Sequence, residues 1–165
     1  MRALVVYESQ FGNTATIARA IADALGATLA DVTRMPPLDG VDLLVAGAPT
    51  HAFGLSRPTT RQDAVRQGGT RREIGLREFL DAAPLLPGLP AATFATRIDK
   101  PFTGSAAQRA HRRLRKLGCH LIAPPEAFRV TGVAGPLLPG ETDRARAWAL
   151  QLKRFVEHEK VARGG

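Results

Sequence analysis

Residues 3–25 read ALVVYESQFGNTATIARAIADAL and contain a predicted strand, a polar turn and a predicted helix in succession. The run from Ala3 to Tyr7 is continuously apolar, which is typical of a strand buried on both faces, as in a parallel sheet. The stretch after the turn repeats apolar residues at the spacing of one helix face: Ile17, Ala18, Ile21, Ala22 and Leu25. Gly26 stands where helices commonly end. The segment therefore predicts the first strand–helix unit of an α/β domain.

The rest of the chain continues this alternation. Further strands are predicted at 27–32, 41–48, 90–95 and 119–122. Helices are predicted at 75–83, 105–117 and 141–157. Residues 55–74 are predicted to form a long polar loop that contains a short helix. The inner face of the last helix is assigned to Ala145, Trp148, Leu152 and Phe155. Pro124-Pro125 interrupts the fifth strand, and residues 127–132 either resume it or form an edge piece. Five strands that alternate with helices predict a five-stranded parallel sheet with helices on both faces.

Composition limits the function classes. With 165 residues, 44% of them hydrophobic and 23% charged, the chain fits one globular domain, here placed at residues 1–160 with a short C-terminal tail at 161–165. A single cysteine excludes an intrachain disulfide, and no Cys/His spacing indicates a metal site. No apolar stretch is long enough for a membrane span, so we expect a cytoplasmic protein.

The net charge of +8 admits nucleic acid or another anionic partner. However, 19 of the 23 basic residues are Arg and 27 residues are Ala, a bias that a GC-rich genome produces by itself. Nucleic-acid binding rests on charge alone and is the weakest hypothesis. The basic segment 109–116 is interpreted as the solvent face of a helix whose Leu114 and Leu117 face the core, with docking as an open alternative. Cys119 is predicted to be a buried, inert thiol.

The loop after the first strand has the chemistry of a phosphate cradle. It consists of Ser9, Gln10, Phe11, Gly12, Asn13 and Thr14. Two hydroxyls, an amide and successive backbone N–H groups at a helix N-terminus can surround one phosphate. The loop has no lysine and matches neither the nucleotide-triphosphate P-loop nor the GxGxxG fingerprint. The alternative is that Ser, Asn and Thr only cap the helix.

From Val5 to Ile21 the segment resembles the flavodoxin signature position by position: Val5-Val6-Tyr7-Glu8-Ser9, then Gly12, Thr14, Ala18 and Ile21. The resemblance extends over the full chain in element order and implies the strand order 2-1-3-4-5. It also implies that residues 9–14 bind the phosphate of flavin mononucleotide (FMN), held without a covalent bond. Phe11 is a departure, since many flavodoxins have a second threonine there.

The resemblance implies two further flavin-facing loops. One follows the third strand and consists of Pro49, Thr50, His51, Ala52, Phe53 and Gly54; the other follows the fourth strand with Ala95, Thr96 and Arg97. Flavodoxins commonly enclose the flavin ring between a Trp and a Tyr from these loops. Here Tyr7 is predicted inside the first strand and Trp148 on the core face of the last helix, so neither is expected to contact the ring.

The leading hypothesis is an FMN-binding redox protein that carries electrons to a partner protein or a small acceptor. The alternatives are a flavodoxin-fold binding module that does not retain flavin and a small flavin-dependent reductase. No residue qualifies as a catalytic acid or base. A receiver domain is excluded because Ala48-Pro49 stands where it needs an aspartate. Because Arg57 and Arg97 are expected near the flavin and the whole chain is basic, we expect a higher reduction potential than in acidic flavodoxins, and an anionic partner.

Overall fold

The computed structural model describes residues 1–51, 54–70, 72–98 and 105–164. Its strands are β1 (Ala3–Tyr7), β2 (Thr28–Asp31), β3 (Leu43–Pro49), β4 (Pro90–Ile98), β5 (His120–Leu121) and β6 (Glu126–Val130). Its α-helices are α1 (Asn13–Leu25), α2 (Pro58–Arg66), α3 (Leu76–Ala82), α4 (Ala106–Lys116) and α5 (Glu141–Gly164). A 3₁₀ turn at Val32–Arg34 follows β2.

The strands form one parallel sheet in the order β2-β1-β3-β4-β5, and β6 also pairs with β4. The predicted fold class and strand order are therefore confirmed. β5 pairs with Pro90 and Ala91 at the start of β4, whereas β6 pairs with Phe94 to Ile98 at its end. The break falls at Pro124-Pro125, because proline has no N–H to donate to the ladder. Of the two alternatives for residues 127–132, resumption of the fifth strand is the correct one.

Helices cover both faces of the sheet and enclose two hydrophobic cores. Helices α1 and α5 pack on one face, where Trp148 lies edge-on to Phe94 and Phe128 at centroid distances of 6.3 and 6.1 Å. Helices α3 and α4 cover the other face, with Phe79, Leu80 and Leu114 among its buried residues. The crossovers thus leave the carboxyl ends of the strands to loops, which is where ligands bind in open parallel sheets.

The last helix is longer than the sequence predicts. It continues through Gly164, so residues 161–164 extend α5. The assignment of Phe155 to its inner face is wrong: Phe155 is 41% exposed, and Val156 is buried in its place. None of the helices in the described residues combines the length and the apolar character needed to span a membrane.

Candidate functional site

A cleft of about 330 Å³ opens at the carboxyl ends of β1, β3 and β4. Ten of the fifteen predicted site residues line it: Ser9, Gln10, Phe11, Asn13, Thr14, Pro49, Thr50, His51, Thr96 and Arg97. Residues from three separate loops therefore meet in one concave site, as the parallel topology requires.

The first loop turns around the hydroxyl of Ser9. Ser9 is 5% exposed, and its Oγ accepts hydrogen bonds from the backbone N–H of Gly12 at 3.1 Å and of Ala15 at 3.3 Å. Gly12 has φ +92°, a left-handed conformation that favours glycine and that starts α1. Within the described residues, the N–H groups of Asn13 and Thr14 have no protein acceptor, as expected for a first helical turn. This end of α1 can therefore donate hydrogen bonds to an anion.

The first and third loops are tied together by their threonines. The Oγ1 atoms of Thr14 and Thr96 lie 2.8 Å apart, and both residues are buried. The second loop joins them through the backbone, because Thr50 donates its N–H to the carbonyl of Thr96 at 2.9 Å. Thr50 Oγ1 in turn accepts the N–H of Ala106 at the start of α4, at 3.2 Å. These bonds fix the floor of the cleft.

The buried carboxylate of Glu8 is hydrogen-bonded to the first loop. Glu8 is 1% exposed and accepts hydrogen bonds from Gln10 Nε2 at 2.6 Å and from the N–H of Leu76 at 2.8 Å. Gly75 makes this approach possible, since a Cβ there would lie 2.5 Å from Glu8 Oε1. Gln10 Oε1 is buried and has no hydrogen-bond partner among the described residues. The Gln10 amide lines the cleft, so this oxygen is an acceptor that a ligand donor can satisfy.

The second loop makes a tight turn at its tip. His51 and Gly54 exchange two backbone hydrogen bonds of 2.8 Å, and Ala52 and Phe53 between them lie outside the described residues. His51 Nδ1 is 3.2 Å from Thr60 Oγ1. Burial lowers the pKa of His51; the nearby Glu8 carboxylate opposes this effect and Arg61 adds to it. The imidazole is therefore favoured in its neutral form at pH 7.

Helix α2 forms a wall of the cleft that the sequence analysis missed. Thr60, Asp63 and Ala64 of this helix line the cleft, as does Gln67 at its C-terminal end. Ile98 of β4, Val130 at the end of β6 and Val133 beyond it complete this side. Arg61 anchors the helix: it is 3% exposed, donates to Ser56 Oγ and the Glu73 carbonyl at 2.9 Å each, and forms an ion pair with Glu78. Because α2 is mostly polar, its sequence has no apolar periodicity from which its place at the wall of the cleft could be predicted.

The three other predicted residues that the structure describes lie elsewhere. Gly12 lines a shallow depression beside the cleft, Gly54 lines a neighbouring basic cleft, and Ala95 is fully buried in the core. Trp148 lies in the core, as predicted from the sequence. Phe11 is the only Phe, Tyr or Trp of the described chain that lines the cleft. Cys119 is also as predicted: it is buried, and burial raises its pKa to about 11.

The site fits the phosphate of FMN better than its ring. Two hydroxyls, those of Ser9 and Thr14, border the free N–H groups at the start of α1, and Arg72 donates to the Ser9 carbonyl of this loop at 3.1 Å. A monoester phosphate needs such donors. On the ring side the described walls are a histidine, one phenylalanine and polar α2 residues, which offer less stacking area than two facing aromatic side chains.

The fold has counterparts among solved structures. No family model matches the sequence, and no curated protein matches it. Oxidised flavodoxin 1 from Bacillus cereus is 18% identical, with a TM-score of 0.68 over 96% of this chain and 99% of that one. A flavodoxin from Streptococcus pneumonia TIGR4 is 18% identical, with a TM-score of 0.67 over 92% and 97%. A flavodoxin, WrbA-like protein from Agrobacterium tumefaciens is 17% identical, with a TM-score of 0.63 over 95% and 98%.

Proposed function

We propose, from the premise that this chain has a flavodoxin-like fold, that it binds FMN in the cleft at the carboxyl ends of β1, β3 and β4 and acts as a redox protein. The observation that carries the proposal is the convergence of ten predicted residues from three loops on one cleft, with paired hydroxyls at the start of α1. A fold alone does not determine a function, so the proposal rests on this donor set.

Each loop has a separate part in holding the cofactor. Ser9, Thr14 and the N–H groups of Asn13 and Thr14 would hold the phosphate, with the positive end of the α1 dipole adding to the attraction. The backbone of the second and third loops, fixed by the bond between Thr50 and Thr96, would orient the ring. Helix α2 would limit the access of water. When bound, FMN supplies transfer of one or two electrons.

The His51 imidazole in the second loop is favoured in its neutral form at pH 7. Its pKa is lowered by burial, and its ring stays beside Thr60 at the edge of the cleft. A neutral imidazole adds no positive charge near the ring. The positive charge near the cleft comes instead from arginines: Arg97 lines it, and Arg57 lines the adjoining basic cleft. Such charges favour a reduced, anionic cofactor and an anionic partner.

A second candidate function is a binding module of the same fold that does not retain flavin. The observation in its favour is the ring side of the cleft, where Phe11 is the only described Phe, Tyr or Trp. The donors of the first loop would then bind another small anion. The two candidates differ in a single measurable property, which is affinity for the flavin.

The test is the visible absorption spectrum of the purified protein, followed by titration with FMN monitored by quenching of its fluorescence. We expect a yellow protein or saturable one-to-one binding. The variant Thr14→Val, which removes a cradle hydroxyl, should weaken FMN binding about tenfold, the equivalent of one charge-assisted hydrogen bond. Thr28→Val is the matched control, because Thr28 is exposed at the opposite end of the sheet. A colourless protein that does not quench FMN fluorescence would support the binding module instead.

A further inference from the structure

A second cleft, of about 280 Å³, adjoins the first. His51 and Thr60 line both clefts, so this pair separates them. The second cleft is lined by six cationic side chains and will be called the basic cleft: Arg57, Arg77, Arg109, Arg112, Arg113 and Lys116. They come from the start of α2, from α3 and from α4, so the concentration of charge arises from the tertiary fold rather than from one segment.

Few acids balance these charges. Arg113 forms an ion pair with Asp81. Arg77 donates to the backbone carbonyls of Ser56 at 3.1 Å and Leu55 at 3.0 Å, which carry no net charge. In the described part of the chain, the other four cationic residues form no ion pair. Among the described residues, six cationic side chains therefore line one concavity, and one of them, Arg113, is ion-paired.

This arrangement is unfavourable in the absence of an anion. Arg109, Arg112, Arg113 and Lys116 occupy one face of α4 at spacings of three and four residues, where like charges destabilise a helix. Burial lowers the pKa of Arg77, and the positive charges of Arg113 and Arg57 lower it further, although the Glu78 and Asp81 carboxylates oppose this effect. The cationic groups thus repel one another across the cleft as well as along the helix. A bound anion would reverse the sign of these interactions.

The geometry favours a small ligand with closely spaced negative charges. Arg77 is half-buried and held by two carbonyls, and the aliphatic part of Arg109 packs against Gly54, where a Cβ would lie 3.5 Å from Arg109 Cγ. The Arg77 guanidinium is thereby held within the concavity, and the exposed Arg109 lines the same concavity. Arginine is suited to phosphate because its planar donors bind two oxygens together.

We propose that the basic cleft binds the phosphate groups of a small phosphorylated molecule, whose other end extends past His51 and Thr60 to the first cleft. The placement of that other end beside a flavin rests on the proposed function. Phosphate binding itself does not, since no residue of the first loop lines the basic cleft. The ligand class is thus a phosphorylated substrate or reductant, and His51 and Thr60, which line both clefts, lie between its two ends.

The test is calorimetric titration of the full chain with inorganic pyrophosphate at low ionic strength. We expect binding at one site that depends on Arg112 and that added salt weakens, in addition to any binding at the first loop. Arg112→Glu should weaken it about tenfold, because it replaces attraction by repulsion within the cleft. Arg112 is exposed and forms no hydrogen bond in the described structure, so its replacement should leave folding unchanged. Arg154→Glu is the matched control: it makes the same charge change on an exposed residue of α5, across the sheet.

Further measurements distinguish this proposal from the alternative explanations. Thr14→Val should leave the Arg112-dependent part of pyrophosphate binding unchanged even where it weakens FMN binding, so the two proposals fail independently. Absence of pyrophosphate binding, or equal weakening by Arg112→Glu and Arg154→Glu, would overturn the proposal. Tighter binding of citrate would overturn the assignment to phosphate. Tighter binding of an oligo-aspartate peptide would identify the basic cleft as a docking surface for an acidic protein instead.

Discussion

Replacing Arg61 by methionine should strongly destabilise the protein and loosen the α2 wall of the first cleft. Arg61 is 3% exposed and donates to Ser56 Oγ, to the carbonyl of Glu73 and to the carboxylate of Glu78. These three bonds connect α2 with Ser56, which precedes it, with the segment that leads into α3 and with α3 itself. Methionine fills much of the same volume but makes none of them, so the polar partners stay in place without their donor.

The magnitude follows from the burial of the two partners. Removal of one member of a buried ion pair typically costs about 3–5 kcal/mol. The Glu78 side chain is 35% exposed, so water can rehydrate its carboxylate, and the lower end of this range applies. We therefore expect a loss of about 3 kcal/mol in the free energy of unfolding. For a chain of this size that corresponds to a melting temperature lower by roughly 6–12 °C.

The measurement is urea denaturation of the wild type, Arg61→Met, Glu78→Gln and the double variant. The double-mutant cycle should give a coupling energy of about 1–3 kcal/mol between Arg61 and Glu78. Arg66→Met is the matched control on α2, because Arg66 is largely exposed and pairs only with the exposed Asp63. Its expected cost is below about 0.5 kcal/mol. If Arg61→Met costs no more than Arg66→Met, Arg61 does not anchor α2.

Two further predictions concern the packing and the pH dependence of the fold. Gly47→Ala should lower the free energy of unfolding by at least about 1–3 kcal/mol, because its Cβ would lie 2.0 Å from Phe94 Cζ. Gly132→Ala is the control, since a Cβ at Gly132 would have no atom within 4 Å. Equal melting temperatures for the two variants would contradict the packing account. The Glu141 carboxylate accepts two bonds from Arg144 and the N–H of Arg129, which together hold its pKa below the ordinary value. Its stabilisation is therefore present above the unfolded pKa, about 4.3, and is lost as the pH falls through the lower folded pKa. Glu141→Gln should reduce stability by about 2 kcal/mol at pH 7 and by much less near pH 3 in urea denaturation; a difference independent of pH would contradict this role.

The positions of the strands could be predicted because their signals are local, and their order in the sheet was implied by the resemblance to flavodoxins. The apolar runs in β1 and β3 are long enough to indicate buried strands without knowledge of their neighbours. The extent of the fifth strand could not be predicted from the sequence. After the interruption at Pro124-Pro125 the chain can resume the strand or form a separate edge piece, and only the pairing of β4 with residues before and after the prolines decides between them. Phe155 was misplaced for a similar reason: adjacent apolar residues at the end of a helix do not show which one the partner helix covers.

Only those residues of the candidate site that lie in loops directly after the strands could be predicted. The carboxyl ends of β1, β3 and β4 must lie at one edge of a parallel sheet, so the loop residues there were found from topology. The α2 wall depends on the path of a polar segment and on the buried Arg61, for which local sequence gives no signal. The basic cleft likewise joins Arg57, Arg77 and α4 through the tertiary fold, although the charge of α4 was evident from the sequence.

The most direct test of the central claim compares FMN with riboflavin as ligands of the wild-type protein. Both carry the same ring, and only FMN carries the phosphate that the loop at residues 9–14 is proposed to bind. We expect FMN to bind at least about 100-fold more tightly, the equivalent of two charge-assisted hydrogen bonds. Equal affinities for the two ligands would show that the first loop is not a phosphate cradle and would contradict the account.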